Sequence, residues 1–243
     1  MGIYTALTEC LYRADLYLPC RSSRCNLYRW LTLGRLRFTE SPLPPPLHAE
    51  LMDYAYKIYL TSCERTADRI QELPVSAANI EACLADILEV EKQCYPEGNR
   101  IDAESLRLRF ADFNKKQALC FLYYRDGRPV AYTLGTYLEF YSPFEYGFEL
   151  GLHPHYGEFS AFYMENISVV PDEQGAWLSA RAVIHIWMEA QQQGYVAVLG
   201  HALMDQRVHV LTRKMGFRTI MRRASFLGET ARVALVYGRF PNA

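Results

Sequence analysis

The strongest structural signal in the chain is a tight hairpin near its middle. The runs 119–124 and 130–138 are dense in aliphatic and aromatic residues, and Arg125-Asp126-Gly127-Arg128 joins them. An Asp-Gly pair readily adopts the positive φ angles of a two-residue turn, so the two runs are predicted to pair as antiparallel strands. The chain must therefore build a β-sheet, and the segments on either side of the hairpin determine the fold class.

Helical and strand-like segments alternate on both sides of this hairpin. Ser76 is predicted to cap a helix whose apolar residues include Ile80 and Leu84. Later in the chain, Gly194 is predicted to end another helix, and a buried strand follows. Predicted strands span 70–75, 161–170, 195–199, 218–226 and 232–237, and predicted helices span 77–94, 103–113, 178–193 and 205–215. The order β-α-α-β-β-β-α-β-α-β-β predicts an α/β fold with a mixed central sheet flanked by helices.

Residues 1–65 are predicted to form an extension ahead of a main domain over 66–243. The first 40 residues hold six arginines among many Tyr and Leu residues. This composition is typical of a transit peptide, a membrane-surface helix or an ordered extension that packs on the main domain. The proline-rich run 41–46 cannot be helical and is predicted to be a stiff linker. From residue 48 to about 66, apolar residues recur at helical spacing, so the extension is predicted to end in a helix.

Composition bears on the class of protein and its compartment. The formal net charge of −1 argues against a general nucleic-acid binder. No stretch reaches the ~18–20 uninterrupted apolar residues that a membrane span requires. The seven cysteines are scattered, none of them at the spacing of a zinc knuckle, and no secretory signal with a clean apolar core is visible. We therefore expect free thiols and a cytoplasmic protein.

Two segments of the main domain resemble the local motifs of one superfamily. Residues 169–180 read Val-Val-Pro-Asp-Glu-Gln-Gly-Ala-Trp-Leu-Ser-Ala, which is similar to a strand followed by Pro-Asp and the pattern Q/R-x-x-G-x-G/A. Residues 205–217 read Asp-Gln-Arg-Val-His-Val-Leu-Thr-Arg-Lys-Met-Gly-Phe, which is similar to N-x-x-A-x-x-L-Y-x-K-x-G-F. Together with the order of elements, these segments make the chain from residue 66 onwards resemble the GNAT superfamily of acyl-CoA-dependent N-acyltransferases.

The resemblance implies that acetyl-CoA or another acyl-CoA binds around the first segment. A strand that runs into a helix N-terminus presents backbone N–H groups and the positive end of the helix dipole, which suits a pyrophosphate. The residues implied to hold the phosphates are Gln174, Gly175, Ala176, Trp177, Leu178 and Ser179. The residues implied to meet the pantetheine arm are Ile167, Ser168 and Val169. The implied set also includes Asp205, which replaces an Asn that usually contacts the coenzyme.

Two positions depart from the family pattern in ways that bear on catalysis. Trp177 stands where the family has glycine, a residue that allows unusual dihedral angles and a close approach of phosphate. Thr212 stands at the position implied for the general acid, where the family often has the tyrosine that reprotonates the CoA thiolate. A threonine is a far weaker acid than a tyrosine. Other candidates for this role, by residue type, are Tyr163, His201 and His209, and water is a further one.

Glu165 is the candidate general base. It lies on the strand that precedes the phosphate loop, where members of the family often place a catalytic glutamate that faces the acceptor amine. Such a carboxylate, or a water held by it, is suited to removing a proton from an ammonium group. The alternative is that Glu165 pairs with an arginine on a neighbouring strand, and the sequence leaves both interpretations open.

The segment 140–159 is dense in aromatic residues and is predicted to be a long loop or an irregular hairpin. In the GNAT fold this segment approaches the acceptor site, so its aromatics favour an apolar acceptor or a long acyl chain. The alternative is that they cover the sheet or form a homodimer interface. His153 and His155 in this segment are possible zinc ligands, but no third ligand has a persuasive spacing and no metal is expected.

The resemblance implies transfer of an acetyl or longer acyl group from a CoA thioester to an amine of a small molecule or peptide. Two alternatives stay open. The departures at Trp177 and Thr212 are compatible with a GNAT-like binding module without catalysis. An acyl-carrier protein or an aminoacyl-tRNA is also possible as the donor, and the charged tRNA is the one nucleic acid considered. A basic surface for such a donor would come from Arg207, Arg213, Lys214, Arg218, Arg222 and Arg223.

Overall fold

The structure is a computed structural model that describes residues 49–66, 69–111, 116–140, 160–174, 178–203, 212, 216–223 and 233–240. The helices in this part of the chain are α1 (Ala49–Thr66), α2 (Ile80–Cys94), α3 (Ala103–Arg109) and α4 (Leu178–Gln192). The strands are β1 (Ile70–Val75), β2 (Leu119–Arg125), β3 (Arg128–Tyr137), β4 (Ala161–Val169), β5 (Ala197–Leu203), β6 (Arg218–Arg223) and β7 (Val233–Arg239). Short 3₁₀ helices span Glu97–Asn99, Leu138–Phe140 and Pro171–Glu173.

The seven strands form one mixed sheet in the order β1-β2-β3-β4-β5-β7-β6. Strands β4 and β5 run parallel, and every other neighbouring pair among the described strands is antiparallel. The α/β fold class predicted from the sequence, a mixed sheet flanked by helices, is confirmed.

Helices cover both faces of this sheet. On β2 the Tyr124 hydroxyl donates to Asp86 of α2, while the neighbouring Tyr123 hydroxyl lies 3.0 Å from Nδ1 of His185 on α4. Successive residues of a strand point to opposite faces, so α2 and α4 lie on opposite sides of the sheet. Helix α1 packs against α4, where the ring of Tyr59 stacks on that of His185. The boundary predicted at residue 65 between extension and domain stays a prediction.

The predicted hairpin is confirmed. Asp126 has φ 51° and Gly127 has φ 78°, and both are conformations that a type I′ turn requires. The predicted cap at Ser76 is wrong, because the helix begins at Ile80 and Asn79 is its N-cap residue. The side chain of Asn79 folds back to accept from the Ser76 backbone N–H at 2.7 Å, which closes a turn ahead of the helix.

Several predicted boundaries shift by a few residues. Gly194 has φ 79°, as its predicted role at a helix end requires, and the N–H of Tyr195 still bonds the Ala190 carbonyl. Strand β5 therefore begins two residues later than predicted and runs on to Leu203. The helix predicted over 103–113 ends at Arg109. The helix predicted over 205–215 lies outside the described residues except for Thr212.

The hydrophobic core lies on both faces of the sheet. Its largest fully buried side chains include Trp187 of α4, Tyr123 and Tyr132 of the hairpin, and Phe162 of β4. Trp187 packs on Phe217 with ring centroids 5.0 Å apart. Among the described residues, no helix combines the length and the apolarity needed to cross a membrane.

Candidate functional site

The central feature of the site is the place where the β4–β5 ladder stops. The parallel pairing covers Ala161↔Ala197 to Met164↔Gly200 and then ends, although β4 continues to Val169 and β5 to Leu203. Beyond Met164, the edge of β4 that faces β5 carries backbone N–H and C=O groups with no strand partner on that side among the described residues. A backbone edge of this kind can accept an extended ligand as an additional strand.

A β-bulge in β4 marks the same point. On the β3 side, Leu134 pairs with Asn166 and Gly135 pairs with Met164, so Glu165 is the extra residue of β4. The close approach requires glycine at 135, because a Cβ there would lie 2.3 Å from the Phe162 ring and 2.6 Å from the Tyr163 carbonyl oxygen. The bulge turns Glu165 and the following Asn166 toward the same side of the sheet, where α2 and α3 lie.

Glu165 forms a bidentate ion pair with Arg109 at the end of α3. The Arg109 Nε donates to Oε2 of Glu165 at 3.0 Å, and the Nη2 group donates to Oε1. The pair is largely buried, with 13% of the Arg109 side chain and 20% of the Glu165 side chain exposed. Arg109 also lies over the ring of Phe140 at 5.5 Å. The sequence analysis left open that Glu165 pairs with an arginine on a neighbouring strand. Glu165 does pair with an arginine, but Arg109 belongs to helix α3.

A second carboxylate, that of Glu91 on α2, lies fully buried beside the bulge. Its Oε2 accepts from the Ile101 backbone N–H at 2.8 Å. Its Oε1 accepts from the Tyr132 hydroxyl at 2.6 Å and from the Asn166 side-chain amide at 2.9 Å. Burial and the charge of Glu91 raise the pKa of Tyr132 well above its usual range, so this hydroxyl stays protonated and donates.

The network continues through Ser168 and ties α2 to the outer half of β4. The Ser168 hydroxyl lies within hydrogen-bonding distance of Asn166 Oδ1 (2.8 Å), the Tyr95 hydroxyl (3.3 Å) and Glu91 (3.4 Å). The Tyr95 hydroxyl donates to Asn166 Oδ1 at 3.0 Å. These bonds hold the side chains of Asn166 and Ser168 on the α2 side of the sheet.

Tyr163 and His201 meet where the two strands stop pairing. The Tyr163 hydroxyl lies 2.5 Å from Nδ1 of His201, and their rings cross at 70° with centroids 5.9 Å apart. Both side chains are partly exposed. Thr212, the position implied for a general acid, has no exposed surface, and its carbonyl accepts from the Phe217 backbone N–H at 3.0 Å. The described structure thus brings Tyr163 and His201 together, two residues before Glu165 on β4, and Thr212 stays a prediction.

The residues implied to bind the donor follow β4 toward the N-terminus of α4. Ile167, Ser168 and Val169 form the end of β4, and the side chain of Gln174 folds back to donate to the Val169 carbonyl at 3.1 Å. Leu178 is buried and Ser179 is partly exposed in the first turn of α4. Four other implied positions lie outside the described residues: Gly175, Ala176, Trp177 and Asp205. The effect of a tryptophan at position 177 on CoA binding therefore stays a prediction.

Ion pairs fix the turn that joins these elements. Asp172 bonds Arg128 at 2.9 Å, and the buried Glu173 bonds Arg125 at 3.1 Å. Both arginines flank the tight turn of the β2–β3 hairpin. The hairpin therefore anchors the segment that leads into α4, although nothing in the local sequence around either arginine indicates this role.

Two sequence predictions fall mainly outside the described residues. His153, His155 and the aromatic segment from residue 141 to 159 lie outside the described residues, which end at Phe140 before this segment. Just before it, Tyr137 and Phe140 meet edge to face with ring centroids 6.0 Å apart. Within the part of the chain that the structure describes, no group of three or more His, Cys, Asp or Glu side chains is placed to hold a metal ion.

Comparison with known proteins relates the fold to solved structures. No family model matches the chain, and no curated protein does. A chain of the NatC complex bound to Gag peptide and CoA matches 71% of this chain and 99% of its own length, with 12% identity and a TM-score of 0.52. A putative acetyltransferase from Salmonella typhimurium, solved with its cofactor acetyl-CoA, matches 72% and 96%, with 10% identity and a TM-score of 0.51. A probable acetyltransferase from Staphylococcus epidermidis matches 70% and 98%, with 13% identity and a TM-score of 0.51.

Because the sequence identities are only 10–13%, the similarity to these structures shows the fold alone. The chain has the GNAT fold, and the resemblance found in its sequence is confirmed at that level. The sequence did not indicate Arg109 or the Glu91 network as parts of the site. The one local signal was an acidic residue, Glu91, on the otherwise apolar face of a helix that carries Ile87 and Val90.

Proposed function

We propose that this protein is an acyltransferase that moves an acetyl or longer acyl group from a CoA thioester to an amine. The observation that carries the proposal is the end of the β4–β5 ladder at Met164↔Gly200, beyond which the described residues give β4 no strand partner on its β5 side. The pantetheine arm of CoA is an extended chain with two amide groups. It can pair with this edge as a short additional strand, through the backbone of Ile167, Ser168 and Val169.

The elements after β4 support a phosphate site at the end of this edge. Helix α4 has 15 residues, so its N-terminus presents backbone N–H groups and a positive partial charge toward the segment before it. We propose that Gln174, Gly175, Ala176, Trp177, Leu178 and Ser179 hold the pyrophosphate there, and that Asp205 contributes to the coenzyme site. In the putative acetyltransferase of the same fold, acetyl-CoA is the cofactor.

The experiment is a calorimetric titration of the purified protein with acetyl-CoA and with CoA. We expect micromolar binding of both ligands by the wild type. Gln174→Glu should weaken binding at least tenfold, because it removes the side-chain N–H that fixes the turn and adds a negative charge beside the pyrophosphate. Gln71→Glu makes the same chemical change on an exposed position of β1 and should bind like the wild type.

The result that contradicts the donor site is a folded wild-type protein that binds neither ligand up to millimolar concentration. Equal loss of binding in Gln174→Glu and Gln71→Glu would instead show a general effect of charge and would remove the support for the turn. Binding that survives in Gln174→Glu unchanged would place the phosphates elsewhere on the protein.

A GNAT-like binding module without catalysis is the second candidate, and two observations favour it. Arg109 engages both carboxylate oxygens of Glu165, the proposed base, and Thr212 is fully buried. Tight CoA binding without transfer to any amine in a broad screen would support this module. A donor carried by an acyl-carrier protein or a tRNA is a separate alternative. Strand β6, at the end of the strand order, carries three arginines that could contact such a donor: Arg218, Arg222 and Arg223. Binding of such a donor would weaken steeply as the salt concentration rises.

The acceptor and the compartment are further parts of the proposal. The ring of Phe140 beside Arg109 supports an acceptor, small molecule or peptide, with an apolar part. Cys63, Cys83, Cys94 and Cys120 are free thiols, which supports a reducing compartment such as the cytoplasm. A homodimer is compatible with the aromatic segment, and light scattering of the purified protein would test it.

A further inference from the structure

The backbone groups of β4 beyond the bulge alternate between the two sides of the strand. The N–H of Val170, just after β4, donates to the Val130 carbonyl of β3 at 3.0 Å. In a strand the N–H and C=O groups of every second residue point to the same side, so those of Ser168 also face β3. The groups of Ile167 and Val169 therefore face the β5 side, which is the side proposed for the pantetheine arm.

The bulge sets the spacing between the end of the ladder and the turn that precedes α4. Because Glu165 is the extra residue of β4, Ile167 lies opposite Thr133 of β3. In a regular ladder without the bulge, Asn166 would lie opposite Thr133 instead. Every later residue would then lie about 3.3 Å further along β3, and the turn at 171–174 would move with it.

A buried carboxylate on α2 distinguishes these two registers. In the observed register the Asn166 side chain lies on the α2 face, and its amide donates to Glu91 at 2.9 Å. In the regular ladder it would point to the opposite face, where Phe121, the β2 partner of Thr133, packs on the ring of His185. Glu91 is fully buried, so the loss of a donor to its carboxylate is unfavourable.

The carbonyl end of the Asn166 side chain is also held from α2. Its Oδ1 atom accepts from the hydroxyl of Tyr95, the C-cap residue of α2, at 3.0 Å. Burial raises the pKa of Tyr95, so this hydroxyl stays protonated and donates. Turning Asn166 to the other face would therefore break hydrogen bonds at both ends of its amide, and the bulged register is the one that satisfies both.

We infer that Asn166, held by Glu91 and Tyr95, is a positioning residue for the acyl-CoA donor; this inference rests on the proposed function. With its side chain on the α2 face, Asn166 fixes the register of β4. The register sets the spacing between the backbone groups of Ile167 and Val169 and the turn before α4. The donor joins its two pantetheine amides to its pyrophosphate through a chain of fixed covalent length. A strand in the regular register offers these two parts a spacing that is about 3.3 Å too long.

The test compares CoA with its nucleotide half, adenosine 3′-phosphate 5′-diphosphate, by calorimetric titration. Asn166→Leu removes the hydrogen bonds at both ends of the amide, and a leucine is favoured against the rings on the α4 face, so the variant should adopt the regular register. We expect CoA binding at least ~10-fold weaker, which corresponds to a bulged fraction below about a tenth, because the apparent Kd is the intrinsic Kd divided by the competent fraction. The nucleotide half meets the turn alone, so its Kd should stay within about threefold of the wild type.

A contact between α-protons reports the register without any ligand. Ile167 and Thr133 lie opposite each other with their backbone groups facing away, so their α-protons are close and should give a strong nuclear Overhauser effect. In Asn166→Leu we expect the contact with Thr133 to pass from residue 167 to residue 166. A general loss of stability would weaken this contact, but it would not transfer the contact to the neighbouring residue.

The matched control is Asn99→Leu, which makes the same chemical change in the short 3₁₀ helix Glu97–Asn99, outside the sheet. It should keep the contact between Thr133 and Ile167 and both affinities. Asn166→Ala is the milder second variant, which decides the test if the leucine variant does not fold. It loses the same hydrogen bonds, and we expect it to weaken CoA binding about threefold, with the contact to Thr133 divided between residues 166 and 167.

Three results would overturn the inference. One is a folded Asn166 variant that binds CoA like the wild type. Another is weaker CoA binding while the contact with Thr133 stays at Ile167, because Asn166 would then act otherwise than through the register. The third is an equal loss of affinity for CoA and for the nucleotide half, which indicates a general loosening of the fold. A wild type that binds neither ligand would instead overturn the proposed donor site, and the inference with it.

Discussion

Replacing Glu91 by alanine tests whether the buried network at the bulge holds the site together. The carboxylate accepts four hydrogen bonds. After its removal, Ser168 and Asn166 keep each other as partners, and the Asn166 amide keeps the Tyr132 oxygen. The Ile101 backbone N–H and the Tyr132 hydroxyl lose their acceptor.

Each buried donor left without an acceptor costs about 1–3 kcal/mol. With two such donors, we expect Glu91→Ala to lower the free energy of unfolding by about 2–6 kcal/mol, which is large against the ~5–15 kcal/mol of a typical domain. Urea unfolding followed by circular dichroism measures this loss as a lower midpoint at an unchanged m-value.

The matched control is Glu89→Ala, one half-turn earlier on the same helix. The Glu89 side chain is half exposed and its partners are Gln93 and Lys92 at the surface, so we expect a change of less than about 0.5 kcal/mol. A loss below about 1 kcal/mol in Glu91→Ala, or equal losses in the two variants, would refute the reasoning. It would mean that water replaces the carboxylate or that the network carries little of the stability.

Two further changes test other parts of the structure. Gly135→Ala forces a Cβ into the Phe162 ring and should cost about 1–3 kcal/mol in the same urea assay, whereas Gly98→Ala, with open space around it, should cost far less. Burial raises the pKa of Glu72, but the hydrogen bond and charge of His185 and the charge of Arg181 outweigh it, so the net pKa is lowered. Glu72 therefore adds stability above its unfolded pKa of about 4.3, and this stability should disappear as the pH falls below that value. A wild type and a Glu72→Gln variant with parallel stability curves from pH 6 to pH 3 would contradict that assignment.

The hairpin and the order of the described elements were predictable because their information is local. Asp126-Gly127 adopts positive φ angles wherever it joins two strands, and the period of apolar residues identifies helices and strands without reference to the rest of the chain. The cap at Ser76 failed for the opposite reason. Ser76 and Asn79 are both good capping residues, and the side chain of Asn79 turned back to bond the Ser76 backbone.

The composition of the site depended on contacts between distant segments. Glu165 and Arg109 are 56 positions apart, and Glu91 and Asn166 are 75 apart. The sequence identified Glu165 as a carboxylate on the right strand, but the register of β3 against β4 decided that it occupies a bulge. A bulge inverts the expected alternation of side chains from that residue onward, which a periodic pattern alone does not show.

For the described part of the chain, the sequence by itself therefore determined the kinds of elements, their order and the strand-to-helix passage after β4, because each depends on residues close together in the chain. The tertiary structure decided where the β4–β5 ladder ends, which partner binds Glu165, and that Tyr163 and His201 share a hydrogen bond. These features arise from sheet register and from helices packing across the sheet, and both bring together residues that no local sequence pattern connects.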